Sequence, residues 1–224
     1  MTTAIIVAAG KSTRMGAGTD KAFLSLGSKP VLAWSLLAFE RCPEVDRIVL
    51  VVRKDQQLAA KAVTHMFGIS KLQAIVPGGN RRQDSVQAGL DACDLDTRYV
   101  LIHDGARPCI TSAVIGEVAK LVKRVPAVAV GRRMTDTVKR VEKGKSTAII
   151  ETVDRDTLWT VQTPQAFQMK VIRDAYKALG KNEVTDDCQA VELSGVQSRI
   201  YETNQPNFKI TTVEDLQIAS ALLK

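Results

Sequence analysis

The chain has 224 residues, of which 45% are hydrophobic and 25% charged, and its formal net charge is +7. This length supports one sizeable core, and the composition is that of a globular protein, which excludes a disordered or fibrous class. No apolar run approaches the length of a membrane span and no signal-peptide pattern opens the chain, so we expect no membrane partner. The positive charge predicts an anionic partner, either nucleic acid or a small polyphosphate.

Cysteine and aromatic content narrow this choice. The cysteines are scattered, with no C-x-x-C pair, at Cys42, Cys93, Cys109 and Cys188. Such spacing is typical of reduced thiols in a cytosol, so we expect a cytoplasmic protein without a zinc site or disulfide framework. Aromatic residues are only 4%, whereas a single-strand nucleic-acid binder needs aromatic rings on which bases stack. Basic residues stand instead beside short glycine-containing turns, which favours a small anion bound at loop tips.

Short apolar runs alternate with helical periodicity over the first 130 residues. The runs predicted as strands are AIIVA (4–8), RIVLVV (47–52), LQAIV (72–76), YVLIH (99–103) and AVAV (127–130). Helices are predicted between them at 30–42, 56–67, 85–93 and 112–125. Apolar strands joined by helices predict an α/β fold with a Rossmann-like, mostly parallel, twisted sheet flanked by helices.

The pattern changes after residue 131. TDTVKRV (135–141) and TAIIETV (147–153) flank a polar turn, which predicts a β-hairpin arm inserted at about residues 133–160. The chain then returns to a helix at 186–195, a strand at 197–203 and a last helix that begins after Thr212, its predicted N-cap. Because no repeat, low-complexity tract or linker interrupts the chain, we expect a single domain over 1–224 with one arm.

The opening stretch AIIVAAGKSTRMG ends in Gly-Lys-Ser, like a Walker P-loop. A Walker motif needs glycine five positions before its Gly-Lys pair, where this chain has Ile5. The dinucleotide fingerprint G-x-G-x-x-G also fails, because Ser12 stands where a glycine is required after Gly10. The likeness to a P-loop is therefore accidental, and a dehydrogenase is disfavoured.

The same stretch still has the properties of a phosphate-binding loop. Ala8, Ala9 and Gly10 are small enough for a nucleotide to approach the backbone, whose N–H groups bind phosphates. Arg14 offers a planar fork to phosphate oxygens and Lys21 a mobile point charge. For either residue taken alone, a solvated surface charge is the alternative.

Further loops follow other predicted strands, at 77–85, 104–108 and 207–216. Ligands of such sheets bind beyond the carboxyl ends of the strands, so these loops are expected to share one rim. Asp104 ends its strand there, and its carboxylate suits Mg²⁺ carrying a triphosphate, with other divalent cations possible. A turn aspartate before glycine is the alternative. His103 is expected on the opposite face.

These segments resemble, in order along nearly the whole chain, the 2-C-methyl-D-erythritol 4-phosphate cytidylyltransferases. The resemblance is carried by IIVAAGKSTRMG with DKAFL, PGGNRRQDSVQAGL, LIHDGARP, TDTVKR, TVDRDTLW, TVQTPQAF, VTDD and NFKITTVEDL. The first motif alone indicates only the wider sugar-nucleotidyltransferase group, whereas the set is far more specific. The resemblance implies a magnesium-dependent transfer of CMP from CTP to methylerythritol phosphate, with CTP and a polyol phosphate as partners and no nucleic acid.

The resemblance also implies residue roles. Arg14 and Lys21 would stabilise the charge of the transition state, Asp104 would bind Mg²⁺, and Arg155 and Lys209 would act in catalysis by positioning the substrate phosphate. The CTP site would be lined by Ala8, Ala9, Gly10, Gly79, Ser85, Asp104 and Ala106, and the sugar phosphate would lie near Arg107, Thr137 and Thr185. The arm would form a homodimer and carry Thr137 and Arg155 into the partner's site.

Two departures from the family pattern stand out. Asp20 precedes Lys21 where proline is usual, and this acid either weakens the lysine's pull on phosphate or caps the loop. No aspartate stands near Pro206, which leaves Asp104 as the only named metal ligand. A ribitol- or ribulose-5-phosphate cytidylyltransferase is the nearest alternative, although such relatives carry a bulkier residue where this chain has Ala106. A basic nucleic-acid-binding protein is the alternative of another class.

Overall fold

The computed structural model describes residues 1–10, 20–144 and 147–223. Its strands are β1 (Thr2–Ala8), β2 (Ser25–Leu26), β3 (Lys29–Pro30), β4 (Arg47–Val52), β5 (Leu72–Pro77), β6 (Tyr99–Asp104), β7 (Ala127–Arg133), β8 (Val138–Val141), β9 (Ile149–Val153), β10 (Trp159–Gln168) and β11 (Arg199–Glu202). Its helices are α1 (Val31–Glu40), α2 (Gln57–Met66), α3 (Arg82–Asp91), α4 (Ser112–Leu121), α5 (Met169–Leu179), α6 (Asp187–Leu193) and α7 (Val213–Leu222).

Seven of the strands form one sheet, in the order β11-β7-β10-β6-β1-β4-β5. β1 pairs in parallel with β4 and β6, β4 with β5, and β11 with β7. β10 runs antiparallel to both of its neighbours, β6 and β7. The prediction of a mostly parallel sheet flanked by helices is confirmed, and among the described residues no helix is long and apolar enough to cross a membrane.

Period-two alternation along β1 builds a core on each face of the sheet. Ile6 belongs to the layer that packs against α1 and α4, and Ile5 to the layer that packs against α3, α5 and α6. At Gly89 of α3 a β-carbon would lie 2.5 Å from Ile5 Cγ2, so glycine lets this helix lie close to the sheet. The N-terminus of α3 is thereby held at the rim where β1 ends.

The elements β10 and α5 were not predicted, and neither was the short pair of strands β2 and β3. β10 contains Pro164, which argues against a central strand, yet its pairing with β7 shifts register between Val161 and Gln165, so proline lies where the ladder is interrupted. α5 was also missed, although its sequence carries a helical signal in its apolar spacing. Its buried residues are Met169, Ile172, Ala175, Tyr176 and Leu179.

The predicted hairpin is present as β8 and β9, which pair antiparallel in a separate two-stranded sheet. Its apolar side chains Val141, Ile149 and Ile150 are exposed. The predicted N-cap of α7 is confirmed, because the Thr212 side chain accepts a hydrogen bond from Asp215 N. The use of the arm in dimerisation and the single-domain assignment stay predictions.

Candidate active site

Two small-residue loops meet at the rim, one after β1 and one after β5. A β-carbon added at Gly78 would lie 2.3 Å from Ala9 Cβ and 2.7 Å from Ser85 Oγ, so only glycine fits there. Gly79 N donates to Ser85 Oγ at 3.1 Å, and the same hydroxyl donates to Arg81 O at 3.2 Å. Ser85 thus fixes the second loop against the start of α3.

A cavity of about 370 Å³ opens beside these loops. Its described lining includes every residue predicted to line a nucleotide site, namely Ala8, Ala9, Gly10, Gly79, Ser85, Asp104 and Ala106. Lys21 and Lys209 also line it. Residues far apart in the sequence therefore converge on one space, as expected at the carboxyl ends of parallel strands.

Lys21 begins a short 3₁₀ helix, Lys21–Phe23, whose N-cap is Asp20. Asp20 accepts a hydrogen bond from Ala22 N at 3.1 Å, and its other oxygen lies 3.5 Å from Arg53 Nη1. Burial raises the pKa of Asp20, opposed by the Ala22 hydrogen bond and by Arg53. Of the two interpretations of this acid, the structure supports the loop cap.

The C-terminal segment holds the lysine in place. Lys21 Nζ donates to Ile210 O at 3.0 Å, and Ile210 N donates to Ala106 O at 2.8 Å. The chain around residue 210 therefore connects Lys21 to the loop that follows β6. Lys209, the preceding residue, is about one third exposed and reaches the same cavity.

Asp104 is the last residue of β6 and its side chain is only 10% exposed. Its Oδ2 lies 2.7 Å from Lys209 Nζ and 3.8 Å from Arg107 Nε, and its Oδ1 lies 3.3 Å from Arg82 Nε. Burial alone would raise the pKa of Asp104, but the three cations outweigh burial and hold it well below its usual range. The carboxylate is therefore ionised at neutral pH.

A buried histidine supports the backbone of this loop. Arg107 O can only accept, so His103 Nε2 carries the proton and donates to it at 3.3 Å. In the neutral ring Nδ1 then accepts from Thr163 Oγ1, 3.1 Å away, and the same hydroxyl oxygen accepts from Asp104 N at 3.0 Å. Burial lowers the pKa of His103 to about 3, so the ring is neutral. It packs against Phe39 on the face away from the cavity, as predicted.

The oxygen ligands that the cavity offers fit a hard cation such as Mg²⁺ that is bound together with a nucleotide. Within residues 1–10, 20–144 and 147–223, no group of three or more acidic, histidine or cysteine side chains could hold a metal ion by itself. Mg²⁺ typically uses one or two protein carboxylates together with phosphate oxygens and water. An ionised Asp104 at the cavity wall meets that requirement.

Not every predicted site residue lines the cavity. Arg107 lies behind Asp104, with its Nη1 donating to Asn207 O at 2.8 Å. Thr185, Thr137 and Arg155 are exposed, and Arg155 Nη1 donates to Thr135 O at 2.7 Å. Arg14 lies outside the described residues.

Four cationic residues that line the cavity were given no role by sequence reasoning, namely Arg53, Lys54, Arg81 and Arg82. Arg53 lines it and directly follows β4, so the strand-end rule applied to RIVLVV was sufficient to find it. Arg82 falls within the predicted rim loop at 77–85 but was assigned no role, yet it lines the cavity and contacts Asp104. Its second partner, Asp187, comes from α6, a pairing that no local pattern indicates.

The fold and the cavity are those of an α/β protein of the nucleotidyltransferase class, in which small-residue loops and cationic side chains line one space. The family model for 2-C-methyl-D-erythritol 4-phosphate cytidylyltransferase matches residues 2–224. The chain belongs to this family.

Individual relatives agree with that assignment. Proteins named 2-C-methyl-D-erythritol 4-phosphate cytidylyltransferase from Clostridium botulinum (strain Okra) and Dehalococcoides mccartyi are 41% and 42% identical. The matches cover 98% and 99% of this chain and 96% and 95% of those proteins. The crystal structure of 4-diphosphocytidyl-2C-methyl-D-erythritol synthase from Anaerococcus prevotii is 31% identical, with a TM-score of 0.87 over 99% of this chain and 95% of that one. The crystal structure of the Thermus thermophilus cytidylyltransferase is 28% identical in sequence, with a TM-score of 0.79 over 98% of this chain and 97% of that one.

Proposed function

We propose that this chain transfers CMP from CTP to 2-C-methyl-D-erythritol 4-phosphate, giving 4-diphosphocytidyl-2-C-methyl-D-erythritol and pyrophosphate. The observation that carries the proposal is one cavity in which the small-residue loops meet Lys21, Asp104 and Lys209, in a chain of this family. The small residues accommodate a nucleotide, and the charged ones suit a magnesium triphosphate and a second phosphate.

The reaction needs no general base. An oxygen of the substrate phosphate is already anionic, so it attacks the α-phosphorus of CTP directly and forms the new P–O bond. The bond from the α-phosphorus to the bridging oxygen breaks, and that oxygen leaves with its electron pair on pyrophosphate. Catalysis of such a step is positioning together with stabilisation of charge on the phosphoryl oxygens.

Each charged residue has a proposed role. Lys21 and Arg14 stabilise the negative charge that grows at the α-phosphoryl group, where fixed cations are most effective. Asp104 would hold the Mg²⁺, which would neutralise part of the triphosphate charge. Lys209, which lines the cavity beside the Asp104 carboxylate, orients the acceptor phosphate. Arg107 and Thr185, outside the cavity lining, are assigned to the neighbourhood of the sugar phosphate.

The arm has a proposed role in a homodimer. An isolated two-stranded ribbon is marginal in water, and the exposed Val141, Ile149 and Ile150 support a partner surface on the same arm of a second copy. Thr137 and Arg155 flank the arm, are exposed, and lie outside the lining of this chain's own cavity. Their exposure supports a contribution to the partner's site.

A cytoplasmic location is part of the same proposal. The four cysteines are free and buried, which agrees with reduced thiols. Burial raises the pKa of Cys109 to about 11, so this thiol near the rim is a structural side chain and not a nucleophile.

A pyrophosphate-release assay tests the proposal. CTP, UTP and ATP are each combined with methylerythritol phosphate, ribitol 5-phosphate and ribulose 5-phosphate in the presence of Mg²⁺. We expect the highest kcat/KM for CTP with methylerythritol phosphate. A preference for ribitol or ribulose phosphate would identify the alternative cytidylyltransferase. If no pyrophosphate is released and the protein binds nucleic acid with steeply salt-dependent affinity, the chain would be a basic nucleic-acid-binding protein.

A further inference from the structure

A chain of buried ion pairs runs from the cavity into the protein behind it. The Arg82 guanidinium donates from Nη1 and Nη2 to the two carboxylate oxygens of Asp187, at 3.0 and 2.7 Å. Its Nε donates to Asp104 Oδ1 at 3.3 Å, and the Tyr176 hydroxyl donates to Asp187 Oδ1 at 2.6 Å. The Asp187 side chain is fully buried, so its charge has to be compensated within the protein.

This geometry fixes the direction of the guanidinium. Because both terminal nitrogens bind Asp187 in a planar fork, the Nε–H of Arg82 is left pointing at Asp104. Burial alone would lower the pKa of Arg82, but Asp187 and Asp104 outweigh burial and raise it, so the guanidinium stays charged. Burial, with Asp187 adding to it, raises the pKa of Tyr176, so its hydroxyl remains a donor.

The backbone of α6 is fixed at the same point. Gln165 Oε1, on β10, accepts hydrogen bonds from Asp187 N at 3.0 Å and from Cys188 N at 3.1 Å. The carboxylate that orients Arg82 is therefore itself anchored to the central sheet. Helices α3, α5 and α6 meet at this one buried group.

The other two cations beside Asp104 are not anchored to a carboxylate in this way. Within the part of the chain that the structure describes, Lys209 forms an ion pair with Asp104 alone, and Arg107 pairs with the same carboxylate alone, at 3.8 Å. Under the proposed function Lys209, which lines the cavity, shares its charge with an incoming phosphate. Arg82 remains at Asp104, because leaving Asp187 would strand a fully buried carboxylate.

We propose that Asp187 and Tyr176 are positioning residues of the reaction. They orient Arg82, and Arg82 holds the Asp104 carboxylate in the rotamer in which it meets the metal triphosphate. This inference rests on the proposed function for the identity of the nucleotide and metal. It assigns a role to the second aspartate of the VTDD segment and to a tyrosine on α5.

Metal binding without turnover tests this inference. Asp187→Asn keeps the shape of the side chain but removes its charge, and Tyr176→Phe removes only the hydroxyl. Enzyme-bound Mn²⁺ is measured by EPR with CTP present and no acceptor phosphate. Loss of the groups that orient a metal ligand typically costs about 10- to 100-fold in metal affinity or activity. We expect the Mn²⁺ dissociation constant to rise about tenfold in Asp187→Asn and less in Tyr176→Phe.

Kinetics give a second readout. We expect the Mg²⁺ concentration for half-maximal pyrophosphate release to rise in parallel with the Mn²⁺ constant, and kcat to fall more than the KM for CTP changes. The control is Thr3→Val, which removes a buried hydroxyl pair with Thr97 (2.9 Å) at the far end of β1. It should lower the melting temperature and leave the Mn²⁺ constant unchanged.

An unchanged Mn²⁺ constant in folded Asp187→Asn, with only the melting temperature lowered, would overturn the inference and leave Asp187 a structural residue. Parent protein that binds no Mn²⁺ with CTP would overturn it as well. If Asp187→Asn does not fold, Tyr176→Phe decides by the same criterion. If parent protein releases no pyrophosphate but Asp187→Asn still weakens Mn²⁺ in the CTP complex, the proposed function fails and the positioning role stands.

Discussion

Replacing Asp104 with asparagine removes one negative charge from the centre of the candidate site and keeps the shape of the side chain. Three cations, Arg82, Arg107 and Lys209, surround this carboxylate, and Asp187 is the second carboxylate of the group. These five groups sum to a formal charge of +1, which the substitution raises to +2. The variant should therefore attract a metal-free triphosphate more strongly and hold a metal-bound one less well.

The two effects have different sizes. A unit charge acting across about 6 Å at an effective dielectric near 20 amounts to about 3 kcal/mol. Solvent and salt in the open cavity reduce this to about 1 kcal/mol, which is roughly a fivefold gain in affinity for CTP without metal. In the presence of metal, the substitution removes the carboxylate that would bind the metal. Loss of a residue that merely orients a metal ligand already costs up to about 100-fold in metal affinity or activity, so we expect turnover to fall by about 100-fold or more.

Calorimetry and kinetics separate these effects. CTP is titrated into parent and Asp104→Asn protein in EDTA and in Mg²⁺, and pyrophosphate release is followed over a range of Mg²⁺ concentrations. We expect tighter binding in EDTA, lower turnover, and a partial return of activity at raised Mg²⁺. Asp91→Asn is the matched control, because it changes net charge equally at the exposed C-terminal end of α3. Unchanged CTP affinity in EDTA, together with unchanged magnesium dependence, would refute the metal role of Asp104.

Lys21→Ala and Arg14→Ala should each lower kcat about 100-fold while CTP affinity changes less, because their charges act mainly in the transition state. Mixing Arg155→Ala chains with Lys21→Ala chains should restore activity in heterodimers, because one of the two shared sites keeps both residues. The free energy of unfolding should decrease by up to about 1.4 kcal/mol per pH unit as pH falls from about 6.5 toward 3, because unfolding allows the buried neutral His103 to bind a proton. Chemical denaturation of parent protein and His103→Gln measures this slope.

Each of these predictions has a contrary outcome. Normal turnover in folded Lys21→Ala would remove that residue from the catalytic group. Verified heterodimers that stay inactive would place Arg155 in its own subunit's site or outside the active site. For His103, the unfolded state binds more protons between the two pKa values, so stability is complete above about 6.5 and declines below it. An equal slope in His103→Gln would assign that decline to other groups.

The strand-end rule explains why the residues predicted for a nucleotide site converge on one cavity. Ala8, Gly79 and Asp104 each stand just beyond or at the end of an apolar run, and parallel strands bring such ends to one rim. The local sequence pattern was sufficient to predict this convergence, because the parallel sheet itself places the strand ends side by side. Hairpin residues were recognisable for a similar reason, since the turn between two short strands is a local signal.

The buried ion pairs were beyond such reasoning. Arg82 and Asp187 are 105 residues apart, and each alone resembles an ordinary helix-terminal charge. Their pairing depends on how α3 and α6 pack against each other, and the spacing of apolar residues in the sequence does not specify that packing. β10 was not predicted either, and its Pro164 argues locally against a central strand, although the break in the ladder with β7 accommodates the proline here.

The hydrogen bond from Lys21 to Ile210 O joins residues 189 positions apart, and this sets when the site forms during synthesis. At roughly 5–20 residues per second, a ribosome takes about 10–40 s to proceed from one residue to the other. During that interval the nascent chain carries its nucleotide loop and its first strands without the segment that connects Lys21 to the loop after β6. A chain released early, before residue 210, therefore lacks a complete catalytic cavity although most of its sheet is present.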